Sequence, residues 1–415
     1  MRMKRRAFTL GAGGLLLSAR ARAADGGITL SFPTWQAEEA GFSQWWKELI
    51  AAYETAHPGV KIVLQQIAYP NFTNDLTVRF ASNTPPDIVE LSGNNFGSFA
   101  AQGWLEPLDG YLEKEPLPAA WSSLQALYTW SGKTLGVMVM GYGFMLFYNE
   151  KLLADAGVAV PKSFPDFVAA VAKITQKDKG IFGLSSVSAE YNTIVNEVTS
   201  FILWQGADAF RGGRYTLTDP GVLAALETYR KVVGGNSPLG NVSTMTRQTF
   251  ISGKAGFLID GPWVYSLFKS APEAVRPSLR MIAPPFSPHT GGAANSLHIP
   301  AGISAERKDL VWQFIKLSMQ PEWQRRYFVL TSSPPGLPSA LTAAELAAAP
   351  QLGPVAEAAK GAQSFFPLLQ PVQENVAEFT QILTRMAVRV IATGDPVARI
   401  AAEAQAELQR AIPLG

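Results

Sequence analysis

Apolar positions along the chain recur at two spacings, and the switching between them predicts the elements. Residues 28–32 form a short apolar-rich run with the character of a strand. Phe42, Trp45, Trp46, Leu49, Ile50 and Tyr53 then fall three and four residues apart, one helical stripe that puts Trp45 and Trp46 in or near the core. His57-Pro58-Gly59 ends that helix, and residues 60–67 read as a second strand. A strand–helix–strand unit of this length predicts parallel strands. Phe72, Leu76 and Phe80 mark another helix, Pro85-Pro86 stops it, and a third strand is expected over 87–91.

The pattern changes at 135–148, a long apolar, β-rich stretch broken by Gly141 and Gly143. Glycines there permit the unusual φ/ψ of a hinge. A helix over 168–174 and a strand over 180–186 follow, then a helical stripe of Leu223, Leu226, Tyr229 and Val233. Phe257, Leu258 and Ile259 read as a buried strand, which Asp260-Gly261-Pro262 stops before a helix begins over 264–269. Proline in a first helical turn costs little, because its missing N–H would have no intrahelical partner. Ser304 is expected to cap a helix bearing Val311, Trp312, Phe314, Ile315 and Leu317, with Trp312 and Trp323 in the helical core. An alanine-rich helix over 343–362 and helices over 373–393 and 397–411 close the chain.

Open α/β sheets place ligands beyond the carboxyl ends of their strands, so the loops leaving strands carry the candidate chemistry. The first holds Trp35, Gln36, Glu38 and Glu39; the third, Asn94 and Asn95; the loop after 180–186, Glu190, Tyr191 and Asn192. Trp263 sits just past strand 257–259, beside Asp260 and Gly261. Amides and carboxylates beside aromatic rings suit a polyhydroxylated ligand: side-chain forks pair its hydroxyls and a ring face covers its C–H patches.

Residues 1–23 read as a signal peptide. Arg2, Lys4, Arg5 and Arg6 precede a weakly apolar run that leads to Ala21-Arg22-Ala23, and Arg5-Arg6 begins a twin-arginine-like export motif. Without that segment, 29 basic and 33 acidic residues leave a net charge of −4, which gives no reason to expect nucleic acid as a partner. The chain has no cysteine, so a disulfide framework, a thiol nucleophile and a lipidated-cysteine anchor are excluded. No later run reaches the roughly 18 consecutive apolar residues of a membrane helix. Gly132-Lys133-Thr134 lacks the first glycine of a phosphate loop, since Leu127 stands there. The three histidines, His57, His289 and His298, lie apart, and no nucleophile-elbow or zinc-helix motif occurs. An enzyme reading would need Glu38 and Glu190 to face each other as a glycosidase pair. Carboxylates in a sugar site more often accept hydroxyl protons, and binding is the reading taken.

Gly253-Lys254-Ala255-Gly256 followed by Gly261-Pro262-Trp263 resembles the signature of extracellular solute-binding protein family 1, the sugar-binding subunits of ABC importers. Similar segments follow the family order: 103–108, 147–158, Tyr215 to Pro220, Gly291-Gly292, Ser304 with Arg307-Lys308, and Asp395-Pro396. The likeness runs from about residue 28 to about 411; Ser163-Phe164 departs from the family's usual Thr-Trp at a helix start. The resemblance implies an α/β two-lobe periplasmic-binding-protein fold, each lobe a central mostly parallel sheet flanked by helices, joined by a multi-strand hinge. The first lobe would comprise 24–140 and 287–335, the second 141–286 and 336–415.

The implied function is periplasmic capture of a carbohydrate between the lobes by hinge closure, and its delivery to a membrane permease, by a monomer without cofactor or metal. Trp263 stands where the family stacks a ring on sugar, and Phe366 where it often offers another. The expected ligand contacts are Trp35, Gln36, Glu38, Asn94, Asn95, Glu190, Tyr191, Asp260, Gly261, Trp263, Asn295 and Phe366, with Trp35 and Trp263 gripping from opposite sides. The alternative ligand, a glycerol phosphate or phosphosugar, would need a cation in the cleft, which Arg211, Arg214 or Arg247 could supply.

Overall fold

Strands and helices alternate from the start of the ordered chain, and each apolar stripe finds a sheet face to cover. The computed structural model describes residues 27–39, 41–337, 341–359, 362–365, 367 and 369–414. The signal segment 1–23 and Phe366 lie outside the described residues.

In the first lobe β1 (Ile28–Thr34) is followed by α1 (Phe42–Ala56), β2 (Val60–Gln66), α2 (Tyr69–Ala81), β3 (Val89–Leu91), α3 (Gly93–Ala101) and, after short turns, β4 (Val137–Gly143). The second lobe takes β5 (Met145–Asn149), α4 (Phe164–Ile174), β6 (Phe182–Ser185), α5 (Ile194–Leu203), α6 (Pro220–Tyr229), α7 (Ser243–Ile251), β7 (Ala255–Asp260) and β8 (Leu279–Ile282). The long strand β9 (Thr290–His298) returns to the first lobe, with α8 (Ala305–Ser318) and α9 (Pro321–Thr331) after it. Then α10 (Leu352–Ala359) packs on the second lobe and β10 (Gln363–Ser364) pairs in parallel with the start of β9. The helices α11 (Gln370–Glu374), α12 (Val376–Ala392) and α13 (Val397–Ala411) end the chain.

The crossover of α1 makes β1 and β2 parallel, from Ile28 opposite Val60 to Thr34 opposite Gln66. The second-lobe order is β8-β5-β7-β6, and only β6–β7 is parallel there. In the first lobe β9 runs antiparallel to both β3 and β4, and the Ile88 N–H reaches the Ser31 carbonyl at 3.0 Å to tie β3 to β1. The sheets are therefore mixed rather than mostly parallel. Strands that have just crossed between lobes run opposite to those of the βαβ units, and pair with them antiparallel.

Along β5 and β7 side chains alternate between two cores, as the period of two requires. Leu146, Tyr148, Phe257 and Ile259 face one, with Phe167 of α4 and Phe201 of α5; Met145, Phe147 and Leu258 face the other, with Phe250, Leu352 and Val355. A sheet buried on both faces explains why these strands read as unbroken apolar runs. In the first lobe Trp45 and Trp46 are fully buried, Trp312 is buried with its indole N–H donating to Glu115 Oε2 at 2.8 Å, and Trp323 is half-buried.

Four expectations change. Ser92 to Asn95 is no exit loop, because α3 starts at Gly93, directly after β3. The alanine-rich helix is two, Ala343–Ala348 and Leu352–Ala359, divided around Pro350, which cannot continue a helix. The helix expected over 373–393 begins only at Val376, Gln373 belonging to α11. At the hinge neither Gly141 nor Gly143 has positive φ. What Gly143 supplies is room: a Cβ there would lie 2.0 Å from the Ala358 carbonyl oxygen, so α10 can press on the crossing only because there is none.

Candidate ligand cleft

The turn after β1 distributes its residues to different places. Its backbone closes with the Glu39 N–H on the Gln36 carbonyl at 3.2 Å. Trp35 is only 8 % exposed, its indole edge-on to Phe72 at 4.8 Å and Tyr69 at 5.5 Å. Gln36 is buried, and its Oε1 accepts the Trp46 indole N–H at 3.0 Å. Glu38 is exposed in a groove between α1 and β2, near Lys47, Glu54 and Gln66. Glu39, one residue on, interacts through space with Arg247 of α7 in the second lobe.

Arg247 forms a fork on the carboxylate that ends β7: Nε to Asp260 Oδ2 at 2.7 Å and Nη2 to Oδ1 at 3.1 Å. Asp260 Oδ1 also accepts the Gly261 N–H at 2.7 Å. The Trp263 indole folds back over Gly261, where a Cβ would lie 2.1 Å from the ring. It packs against apolar clusters of both lobes and meets Tyr142, from the end of β4, at 5.0 Å. Tyr142 in turn lies 6.4 Å from Phe365, the neighbour of Phe366.

A concave surface is recognisable where side chains touch solvent and are still short of it. Tyr69 exposes 49 % of its surface, yet burial raises its hydroxyl above the ordinary phenol range, helped by Tyr191 of the second lobe and by Glu39. Glu39 is exposed, yet desolvation lifts its carboxyl above the usual range, with Arg247 pulling the other way. Tyr142 is half-exposed and its hydroxyl is raised by desolvation, Tyr69 and Asp260. Arg247 loses solvent too, and Asp260 more than restores its proton affinity. Glu39, Tyr69, Tyr142, Tyr191, Arg247 and Asp260 thus lie within electrostatic reach of one another from the two lobes and mark the candidate cleft.

Behind each wall lies one carboxyl held largely protonated at neutral pH. Desolvation pushes Glu90 of β3 up to about 8, against the Thr34 hydroxyl and the Asn295 amide, which donates to its Oε1; Glu39 adds to the rise. Asn295 is buried and committed to that bond. Desolvation likewise pushes Glu197 of α5 up to about 8, although the Ser186 hydroxyl and the Val187 N–H (3.0 Å) donate to it. Such neutral acids can donate hydrogen bonds that a carboxylate cannot.

The expected contacts therefore separate. Asp260, Gly261, Trp263 and Tyr191, which is 37 % exposed, come together in the cleft. Gln36 and Asn295 serve the interior instead. Asn95 donates to Thr73 Oγ1 at 2.6 Å within the first lobe, and Glu190 is exposed without a hydrogen-bonded partner among the described residues. Nothing is described of the Asn94 side chain. Of the arginines named for a phosphate, Arg211 and Arg214 lie exposed on a hairpin held against the C-terminal helices, where Phe210 meets Phe379 and the Tyr215 hydroxyl donates to the Ile412 carbonyl. Sequence reasoning missed Tyr69 and Tyr142. Tyr69 follows the end of β2, so the strand-exit rule applied to the other strands would have found it. Among the described residues no three acidic or histidine side chains gather as a metal site, and no helix is long and apolar enough to cross a membrane.

Residues 36–325, more than half of the chain, match the profile of the bacterial extracellular solute-binding protein family. The chain belongs to this family. As a solute-binding protein it is 23% identical over 326 residues to a putative binding protein of Brucella abortus, covering 76% of this chain and 77% of that one. It shares its fold with a solute-binding protein from Thermotoga lettingae bound with α-D-tagatose (TM-score 0.78, 19% identity, 94% of this chain and 100% of that one). The same holds for UgpB from Mycobacterium tuberculosis in complex with glycerophosphocholine (TM-score 0.79, 20% identity, 93% and 98%). The family is one of binding proteins of ABC transporters, and its two-lobe architecture is the frame in which the cleft described above sits.

Proposed function

We propose that this solute-binding protein captures a carbohydrate in the inter-lobe cleft, closes on it, and presents it to the membrane permease of an importer from the periplasm, as a monomer and without catalysis. The reading is carried by side chains short of solvent on both lobes, Tyr69, Tyr142 and Glu39 on one and Arg247 on the other, with Tyr191 and Trp263 beside them. Phenols and a carboxylate pair sugar hydroxyls, and the Trp263 ring covers a C–H face. Trp35 acts through Tyr69, which it backs, and Tyr69 takes the place opposite Trp263. The lobe boundaries fall near 140, 286 and 335. The neighbours' sugar ligands favour the same class. A phosphosugar is disfavoured because Arg247 is already matched by Asp260.

The test is a thermal-shift screen against sugars, polyols and their phosphates, with aryl-glycoside turnover followed in parallel. A ligand at 100 times its dissociation constant stabilises by about 2.7 kcal/mol. Small-angle scattering with that sugar should show a smaller radius of gyration. Stabilisation by phosphates alone, or glycoside hydrolysis, would overturn the reading.

A further inference from the structure

We propose that Glu39 sorts ligands by charge: the cleft takes sugars that are neutral or bear an amine, an amine most tightly, and refuses those bearing a phosphate or carboxylate. The proposal rests on the carbohydrate reading above and adds the ligand's charge class.

Two walls carry charge and only one is balanced. On the second lobe the Nε–Nη2 edge of Arg247 is spent on Asp260, at 2.7 and 3.1 Å, so an incoming anion could reach only the remaining Nη N–H groups of a cation whose charge is already matched. On the first lobe the Glu39 carboxylate has no hydrogen bond or ion pair to another described residue. The groups that act on it through space, or on which it acts, are Arg247, Tyr69, Glu90 and Tyr327. Both phenols have raised hydroxyls and Glu90 holds its proton to about 8, so these three are neutral or nearly so at pH 7. Arg247 and Asp260 cancel, which leaves the charge of Glu39 uncompensated.

A ligand entering the cleft strips more water from that carboxylate. A sugar hydroxyl returns one hydrogen bond; an ammonium returns a bond that is charge-assisted and roughly twice as strong. The ring faces of Tyr69, Tyr142 and Trp263 also tolerate a cation. A phosphate or carboxylate would bring like charge into a desolvating space with no free cation to meet it.

The experiment uses matched sets on one skeleton, by calorimetry on the whole chain at pH 7: glucose, glucosamine, glucose 6-phosphate and glucuronic acid, and diacetylchitobiose with chitobiose. Within a set that binds, the amine form should bind tighter than the neutral form, and at least about tenfold tighter than the anionic forms. Glu39→Gln, which keeps shape, should bring all forms to within about threefold. Asp260→Asn, which frees Arg247, should raise affinity for the phosphate. An anionic form binding as tightly as the neutral one, an amine no tighter than neutral, or an unchanged order in Glu39→Gln would each overturn charge sorting. If no set binds at millimolar concentration, the same neutral, amine and anionic forms are compared on the sugar found by the thermal-shift screen; a screen with no sugar or polyol hit fails the carbohydrate reading, which is a separate result.

Discussion

The two walls of the cleft are built alike and charged differently. Each hides one carboxyl pushed up to about 8, Glu90 behind the first-lobe wall and Glu197 behind the second, and each presents aromatic rings to the gap. In front, the second lobe holds a matched Arg247–Asp260 pair, whereas the first holds a Glu39 carboxylate with no bonded partner among the described residues. One wall is thus internally satisfied and rigid, and the other depends on what binds. The first wall should therefore set which ligand charge is accepted, and the second should depend on its own Arg247–Asp260 pair for bracing.

The largest effects come from emptying a core. Trp312→Ala in the first lobe should destabilise by about 3–5 kcal/mol, read by urea melts, with ligand affinity per folded molecule unchanged. Asp260→Ala breaks the satisfied wall and strands a partly buried guanidinium, at a cost of about 3 kcal/mol. If it melts like wild type, the pair is not what braces that wall. Trp263→Ala should weaken binding by roughly 2 kcal/mol, about 25-fold in dissociation constant, and lower stability less than Trp312→Ala. Normal binding with early melting would make that ring a core lid.

Smaller and directional is the response to pH. Glu90 and Glu197 keep their protons up to about 8, while an unfolded chain releases them near 4.5. Their contribution is complete below about 4.5 and drains away as pH rises toward 8, at no more than about 1.4 kcal/mol per pH unit for each group. Glu90→Gln and Glu197→Gln should each flatten part of the slope in melts from pH 5 to 9. On the acid side the buried histidine lies in the first lobe. Burial lowers His298 from 6.5 to about 4, against the Leu135 carbonyl it faces at 2.7 Å. Its neutral ring favours the fold above pH 6.5, and that contribution is lost as pH falls toward 4. Second-lobe probes that report the acid loss first would contradict this division.

What was legible in the sequence was local or topological. Helical spacing buried Trp45 and Trp46 correctly because a stripe is a property of one helix. The strand-exit rule pointed to the turn after β1 and to Trp263. It could not say that the turn sends Gln36 inward, Glu38 to an outer groove and Glu39 across the gap, because that depends on tertiary partners: Trp46, α1 with β2, and Arg247. Asn295 shows the same limit. Polarity says that an amide in a strand needs a partner, and nothing in the chain order near it names Glu90, 205 residues away. Gly143 was noticed for the wrong reason, since a close approach by Ala358 leaves no trace in local sequence.

Tyr142 is two residues from the point where the chain leaves β4 for the second lobe at Phe144. Atoms near a pivot travel little when two bodies swing, and those far from it travel most. On the closure proposed above, the Tyr142–Trp263 floor would be much the same before and after, whereas Tyr69 and Tyr191 would come together only as the lobes meet. A newcomer would be held first at the floor and locked in at the rim, so the two regions govern different rates. Tyr191→Phe, which removes about 1 kcal/mol of hydrogen bonding, should hasten departure about fivefold and leave the rate of arrival as it was.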